Sequence, residues 1–272
     1  MAGGRYDGRD GAGGRYDGRG GGGGRRMTLL IDFLCRFGWG LAAGLVLTPV
    51  RLVPAGFFRI NLLVVMGLAT FAALLAATAI PGAVVWLAGS AAVVAWLGNV
   101  AWLAQRDRPG IASCLASGLL LAAAVAIVAA GPSGGVAPGQ TLAALLSGLV
   151  VGLTVHAMLL GHWYLNAPGM RIDALQRMID VALAAWAAQF VVAVVAAAPH
   201  VGQLAGTDRA TLAILALRWL AGLVGLPVLL WMSRKTLDIP NTQSATGILY
   251  VACLSAITGE LAGQLLGSIA VT

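Results

Sequence analysis

Charged residues are scarce in this chain of 272 residues. Asp, Glu, Lys and Arg together make up 10% of it, with a single Lys (Lys235) and a single Glu (Glu260). Soluble domains carry about 25% charged residues, so this scarcity argues against a soluble protein. Hydrophobic residues make up 59% of the chain, which indicates a protein whose main partner is the lipid bilayer. The net charge of +7 comes mostly from Arg in loops beside apolar runs, so it does not indicate binding to nucleic acid.

Cysteine and histidine are also rare. The three cysteines lie in separate apolar segments without Cys-x-x-Cys spacing: Cys35, Cys114 and Cys253. This arrangement argues against disulfide, zinc and haem-attachment sites. His156 and His162 are six residues apart on one predicted helix, so their side chains diverge by roughly 120° and cannot clasp one haem. His200 lies beyond the far end of the next apolar stretch. We therefore expect no metal site and no other cofactor.

Common signatures of catalysis are missing from the sequence. It contains no Gly-x-Ser-x-Gly, His-Glu-x-x-His or Walker motif. Asp32 and Asp180 would suit a membrane aspartyl protease only if they met, but their predicted depths in the membrane differ by well over about 10 Å. The sequence leaves catalysis open and favours a protein that is not an enzyme.

Residues 1–26 form a low-complexity arm. The sequence Gly-Gly-Arg-Tyr-Asp-Gly-Arg of residues 3–9 recurs at residues 13–19, and a glycine tract and Arg25-Arg26 follow. Such a segment cannot bury a core, so we expect residues 1–26 to be disordered and dispensable for membrane insertion. Residues 27–272 are expected to form an integral membrane domain. Met27, which opens the first apolar stretch, is an alternative start of the protein.

Eight apolar stretches are long enough to cross a bilayer, which takes about 20 residues each. They cover roughly residues 28–48, 59–80, 82–104, 111–131, 141–165, 174–198, 210–233 and 245–269. Breaks rich in Pro, Gly or Arg separate them. The fold class that this pattern predicts is all-α, a polytopic transmembrane helix bundle. Abundant Gly, Ala and Ser within the stretches favours close helix packing in lipid.

The loop cations are distributed unequally. Nearly all fall on one side of the predicted topology: Arg51, Arg59, Arg106, Arg108, Arg171, Arg177, Arg234 and Lys235. The opposite side has Arg209 as its only loop cation. The positive-inside rule then places the first group in the cytoplasm, and we expect a multi-pass protein of a bacterial inner (plasma) membrane. Eight spans leave the Arg-bearing arm outside, whereas seven spans, with the first stretch along the interface, keep it inside; we favour eight.

Polar residues within the stretches fall into two layers when position is converted to depth at about 1.5 Å per residue. The layer far from the arginine-rich loops contains Asp32, Arg36, Gln189, Arg218 and Glu260. The layer near those loops contains Asn61, Asn99, His156 and Asp180. His162 and Tyr164 lie close to the second layer and are secondary candidates.

Charged groups in lipid are costly, and they normally face protein or a water-filled cavity. Arg218 and Glu260 lie at similar depths on neighbouring stretches, so we expect them to face each other. They would form either a structural ion pair or the wall of a proton, ion or substrate path. Asp32 and Arg36 are i,i+4 neighbours on one helix face and are interpreted as a pair near the membrane interface.

His156 and Asp180 allow two interpretations. The first is a buried histidine whose ring is satisfied by a carboxylate, and the second is a proton-accepting couple, because imidazole titrates near neutral pH. The leading hypothesis for the whole protein is movement of a small solute, ion or proton through a polar interior at the fifth to eighth stretches. The alternative is a cofactor-free membrane subunit of a larger complex, for example a quinone-linked respiratory one, with membrane-protein partners.

Overall fold

The computed structural model describes residues 20–80, 82–131, 138–167, 171–198, 208–239 and 241–270. These residues form α-helices, one π-helical segment and short turns, without a β-strand. The helices are α1 (Gly20–Leu47), α2 (Ala55–Ala79), α3 (Ala83–Leu103), α4 (Asp107–Ala130), α5 (Pro138–Asn166), α6 (Asp173–Ala197), α7 (Arg209–Leu217), α8 (Leu226–Thr236) and α9 (Thr242–Ala270). The π segment (Arg218–Gly225) joins α7 to α8.

Eight helices are long and apolar enough to cross a membrane, which confirms the predicted all-α polytopic bundle. The seventh span is the continuous run of α7, the π segment and α8. Helix ends lie within four residues of the predicted boundaries, except at the start of α1. That helix begins at Gly20 rather than near residue 27, because its hydrogen bonding continues into the glycine tract, where Thr28 Oγ1 donates to the carbonyl of Gly24. The rest of the predicted disordered arm lies outside the described residues.

The ends of several helices follow from local chemistry. Pro54 occupies the N-cap of α2, since a residue without an N–H is tolerated where that group would have no helical partner. Gly131 ends α4 with a φ of 65°, a conformation that costs glycine little. The carboxylate of Asp208 caps α7 by accepting from the backbone N–H groups of Ala210 and Thr211 at 3.0 and 3.1 Å.

α1 and α5 form the centre of the bundle and are its most buried spans. α1 packs against α2, α4 and α5, whereas α5 also packs against α6 and α9. α3 covers α2 and α4 at one edge, and the seventh span packs mainly against α9 at the other. α1 is one of the eight helices long and apolar enough to cross a membrane, and its packing in the interior of the bundle fits the favoured eight-span topology.

Glycines bring α1 and α5 into backbone contact. A Cβ atom added to Gly40 would strike the carbonyl of Gly148, and one added to Gly152 would strike the backbone of Gly40. Gly148 and Gly152 form a Gly-x-x-x-Gly pattern on α5, which is a known device for close helix approach in lipid. The crossing fixes the register of the two helices, with Arg36 lying one turn away from Gly40 on one side and Gly44 on the other.

A second close contact joins the seventh span to α9. A Cβ on Gly222 would lie 3.0 Å from the Cα of Gly259. Pro227 follows shortly after and cannot donate an N–H to the carbonyl one turn earlier, so an ordinary α-helix would be strained there. The π segment widens the helix at this point: the N–H of Leu226 donates to the carbonyl of Ala221, which also accepts from Ser255 Oγ at 2.7 Å.

Eight antiparallel spans give the bundle two ends. We call the end where α1 begins and α9 finishes the N-terminal face. The other end, which carries the loops with most of the cations, is the arginine-rich face. At the arginine-rich face Arg234 Nε donates to Asp180 Oδ1 at 2.9 Å, and Gln176 Nε2 donates to the carbonyl of Leu237 at 3.5 Å, so α6 and α8 are tied together there.

Candidate functional site

A network of buried polar side chains lies in the half of the bundle toward the N-terminal face. Arg36 is at its centre: Nε donates to Asp32 Oδ1 at 3.0 Å, and Nη2 lies 2.6 Å from Asp32 Oδ2. Its Nη1 donates to Glu260 Oε1 at 2.9 Å and to Ser147 Oγ at 3.2 Å. Gln264 Nε2 donates to the same Glu260 oxygen at 3.0 Å. Asp32 and Glu260 are each only 6% exposed, so two buried carboxylates share one guanidinium.

The network follows from helix periodicity and from the α1/α5 crossing. Asp32 and Arg36 are four residues apart on α1, as are Glu260 and Gln264 on α9, so each pair lies on one helix face. Ser147 precedes Gly148, whose missing side chain lets Arg36 approach: a Cβ there would lie 2.7 Å from the Arg36 carbonyl oxygen. The predicted i,i+4 pair of Asp32 and Arg36 is present, but it also contacts α5 and α9, with Asp32 buried and Arg36 partly buried.

Arg218 lies beside this network on the π segment. Its guanidinium covers Gly263, where a Cβ would collide with Nη1. The charges of Glu260 and Arg36 both act on Arg218, but it forms no hydrogen bond or ion pair among those found in the described part of the chain. The predicted direct pair of Arg218 and Glu260 is therefore absent.

Helix register explains this correction. The contact of Gly222 with Gly259 aligns the two antiparallel helices, so Arg218, one turn earlier, lies opposite Gly263, one turn later. Glu260 follows Gly259 and is rotated by about 100° around α9, which turns its side chain toward α1 and Arg36. Depth along the helices gave the right layer for these residues but not the direction in which each side chain points.

Among the described residues, a cavity of about 620 Å³ extends from the N-terminal face to the network. It lies between the first turns of α1 and α5 and the last turns of α4 and α9. Its polar lining residues are Arg25, Thr28, Asp32, Arg36, Gln140, Ser147, Arg218, Glu260, Gln264 and Ser268. The buried charges of the membrane domain therefore line a polar space that lies toward the N-terminal face.

The space narrows sharply beyond the network. Ser147, Arg218 and Glu260 also line a void of about 10 Å³, together with Gln189 from α6. This volume is about that of a single probe sphere and holds at most one water molecule. Leu226, which is 1% exposed, lines the far side of the void. Apolar packing thus separates the cavity from the arginine-rich face in this conformation.

His156 and Asp180 lie apart, which contradicts the predicted couple. His156 is fully buried and points from α5 toward α1 and α2: its Nε2 lies 2.6 Å from Thr48 Oγ1, and its ring packs edge-to-face on Phe57 at 5.3 Å. Asp180 is on the outer side of α6, where it pairs with Arg234 and stays half exposed. A Cβ on Gly44 would lie 2.6 Å from the His156 ring, so His156 fills the space beside the α1/α5 crossing.

The remaining polar candidates contact separate parts of the structure. Asn61 Nδ2 donates to the carbonyl of Phe57 in its own helix at 2.8 Å, and Asn99 Oδ1 is buried without a hydrogen-bond partner. His162 Nδ1 lies 3.1 Å from the hydroxyl of Tyr250. The Tyr164 hydroxyl donates to the carbonyl of Arg171. The second polar layer is thus a set of separate contacts near the arginine-rich face, unlike the network around Arg36.

Metal ligands do not converge in the part of the chain that the structure describes. No three His, Cys, Asp or Glu side chains come together there, and Cys35, Cys114 and Cys253 are free and buried. The chemistry available near Arg36 is instead that of charge, hydrogen bonding and water.

No protein-family model, curated protein or solved structure matches this chain.

Sequence reasoning missed two participants and one backbone feature. Ser147 and Gln264 belong to the network, and both stand within the Gly-containing patterns that the helix crossings use. The π segment also went unpredicted, although Pro227 inside an apolar stretch is a signal for a local break in the α-helix. Ser147 and Gln264 are next to Gly148 and Gly263, two glycines at which another helix approaches closely. Their roles therefore depend on where two helices touch and on which faces meet.

Proposed function

We propose that this protein moves a small solute across the membrane through the polar interior near Arg36, Arg218 and Glu260. The observation that carries the proposal is the cavity of about 620 Å³, which leads from the N-terminal face to these buried charges. Ligand pockets for small molecules have volumes of about 300 to 1,000 Å³. The cavity is therefore of a suitable size for a small hydrated solute.

The burial of charge supports a transport role over a purely structural one. In a purely structural ion pair, each charged group is neutralised by its partner, as Arg36 is by Asp32 and Glu260. Arg218 makes no hydrogen bond or close ion pair among the described residues, yet it lies in the same layer and lines the cavity. Keeping a cation there is costly unless water or a ligand solvates it.

The closed region beyond Arg218 supports alternating access. Among the described residues the cavity extends toward the N-terminal face, and the small void lined by Gln189 and Leu226 lies on its other side. The π segment and Pro227 lie at that barrier, and π-helical segments are common where a helix changes shape for function. A change at this segment would open the site toward the arginine-rich face.

We also propose that the arginine-rich face is cytoplasmic and that the membrane is the plasma membrane of a bacterium. The excess of loop cations on that face supports this orientation. The cavity would then open to the outside in the conformation described here.

Flux measurements on proteoliposomes test the proposal. Purified protein in liposomes should take up at least one member of a panel of labelled small anions, cations and neutral solutes faster than protein-free liposomes. Arg218→Gln should reduce that uptake, whereas Arg209→Gln, which removes an exposed cation outside the cavity, should not. Absence of uptake across the panel by folded protein, together with stable co-purifying membrane proteins, would favour the alternative of a subunit in a larger complex.

A further inference from the structure

We infer that the cavity binds a small carboxylate carrying a hydroxyl or amino group, with its carboxylate on the guanidinium of Arg218 and its donor group on Gln264 Oε1. This inference rests on the proposed function and names the class of its solute.

Arg36 and Arg218 differ in how many N–H donors they have left for a ligand. Arg36 uses Nε, Nη1 and Nη2 on Asp32, Glu260 and Ser147, so its donors are largely occupied. Arg218 spends none of its donors on the described protein groups and lines the cavity. A guanidinium presents its N–H groups as a planar fork that matches the two oxygens of a carboxylate. Arg218 is thus the group of the site that suits an anionic ligand.

Gln264 supplies the second observation. It is 6% exposed and lines the cavity, and its Nε2 donates to Glu260, which fixes which end of the amide faces the network. Its Oε1 is buried and has no hydrogen-bond partner. A buried acceptor without a donor is unfavourable by about 1–3 kcal/mol. A ligand with an O–H or N–H group would supply the missing donor.

The positions of these two groups are compatible with one small ligand. Gln264 follows Gly263 on α9, and the guanidinium of Arg218 lies over Gly263. Because Gly263 has no side chain, the guanidinium packs directly against α9, and Arg218, Gly263 and Gln264 all line the same cavity. A ligand with a carboxylate and a donor group on adjacent carbon atoms would therefore contact both Arg218 and Gln264 from the cavity.

Net charge favours an anion over a cation at this place. Asp32 and Glu260 are both engaged by Arg36. The cavity lining carries three arginines, Arg25, Arg36 and Arg218, against these two carboxylates, which leaves one net positive charge. The lining of the cavity from α4 and α5 contains no acidic residue to attract a cation: the polar groups that α5 contributes are Gln140 and Ser147.

Binding to the purified full-length protein in detergent, measured by calorimetric titration at constant ionic strength, tests the inference. The probes are lactate, propionate, which lacks only the hydroxyl of lactate, and tetramethylammonium. We expect lactate to bind more tightly than propionate and tetramethylammonium not to bind. This ranking on the wild-type protein requires no variant to fold. Tetramethylammonium binding, or equal affinity for lactate and propionate, would overturn the assignment.

Variants then assign the two contacts. Arg218→Gln should weaken lactate binding about tenfold or more, and Arg218→Lys, which keeps the charge but loses the fork, should weaken it less. Gln264→Leu should make lactate and propionate equal in affinity. Arg209→Gln is the matched control and should leave both affinities unchanged. Unchanged lactate binding in folded Arg218→Gln would contradict the inference.

A lipid headgroup could supply the same chemistry, so short-chain phosphatidylserine is a further probe. Binding of that lipid through Arg218 without binding of lactate would assign the cavity to a headgroup and overturn a soluble ligand. Lactate binding without lactate flux would leave the binding site standing and contradict transport. Flux of another class of solute without lactate binding would support transport and overturn the assignment of the ligand.

Discussion

The guanidinium of Arg36 donates to the carboxylate of Glu260 at 2.9 Å and so joins the first and the last helix of the bundle, 224 residues apart in the chain. α1 and α9 otherwise contact each other little: α5 lies against both of them, and α9 packs mainly against the seventh span. The ion pair therefore holds α1 and α9 together beside the cavity, where few apolar contacts join these two helices.

Glu260→Gln should lower the thermal stability of the protein. The substitution removes the charge that pairs with Arg36 while keeping the shape of the side chain, and hydrogen bonds to charged groups contribute about 1.5–3 kcal/mol. The thermal unfolding midpoint, followed by tryptophan fluorescence, measures the change. Asp107→Asn, which neutralises an exposed carboxylate at the start of α4, is the control and should change the midpoint little. Equal midpoints for wild type and Glu260→Gln would show that the pair does not stabilise the fold.

Gly40→Ala should destabilise the bundle strongly. A methyl group at Gly40 would strike the carbonyl of Gly148 and push α1 away from α5, and overpacking of this kind typically costs about 1–3 kcal/mol. Gly67→Ala is the matched control, since a Cβ there meets nothing within 4 Å. We expect Gly67→Ala to be neutral or slightly stabilising, because Ala favours helix over Gly by about 1 kcal/mol. Similar midpoints for the two variants would contradict the α1/α5 contact.

Pro227→Ala should raise thermal stability and slow transport. Alanine restores an N–H and removes the ring that disfavours an α-helical path after the π segment. The stiffer seventh span would then open less readily toward the arginine-rich face. Pro138→Ala is the control, because the first residue of α5 needs no helical N–H partner. If Pro227→Ala transports as fast as wild type in proteoliposomes, the π segment is not the moving part.

The N-cap of α7 should give the protein a small pH dependence. Hydrogen bonds from the side chain and the backbone N–H of Thr211, with a further one from Ala210, hold the pKa of Asp208 below its usual value. A lowered folded-state pKa stabilises the protein at pH above the unfolded value of about 3.9, and this contribution is lost as pH falls through the folded value. Asp208→Asn keeps a capping group but does not titrate. It should therefore lose less stability than wild type between about pH 6 and pH 3, and a loss equal to that of wild type would rule out this contribution.

Hydrophobic length and composition predicted the fold well. Each span needs about 20 apolar residues, and that requirement is visible in the sequence whatever the tertiary packing. The same arithmetic placed Asp32, Arg36, Arg218 and Glu260 in one layer, and the structure brings them to one cavity. Depth depends only on the rise along a helix, so it can be read from residue number.

The partners within the layer could not be predicted in this way. They depend on how each helix is rotated about its axis, and the glycine contacts fix that rotation. Glu260 turns toward α1 because Gly259 occupies the contact with Gly222, and His156 faces α1 because Gly44 leaves room for its ring. The π segment adds a local change of rotation in the seventh span that no apolar pattern reports.

Thiol labelling from each side of the membrane tests alternating access most directly, because it requires no knowledge of the solute. In a protein whose native cysteines are replaced by Ala, Ala144→Cys lies in the cavity wall and Ala252→Cys lies on α9 beyond the small void. Ala72→Cys, buried in α2, is the control. We expect an impermeant thiol reagent to reach Ala144→Cys from the N-terminal face and Ala252→Cys from the arginine-rich face, and to reach Ala72→Cys from neither. An Ala252→Cys variant as unreactive as Ala72→Cys, with and without solute, would contradict it.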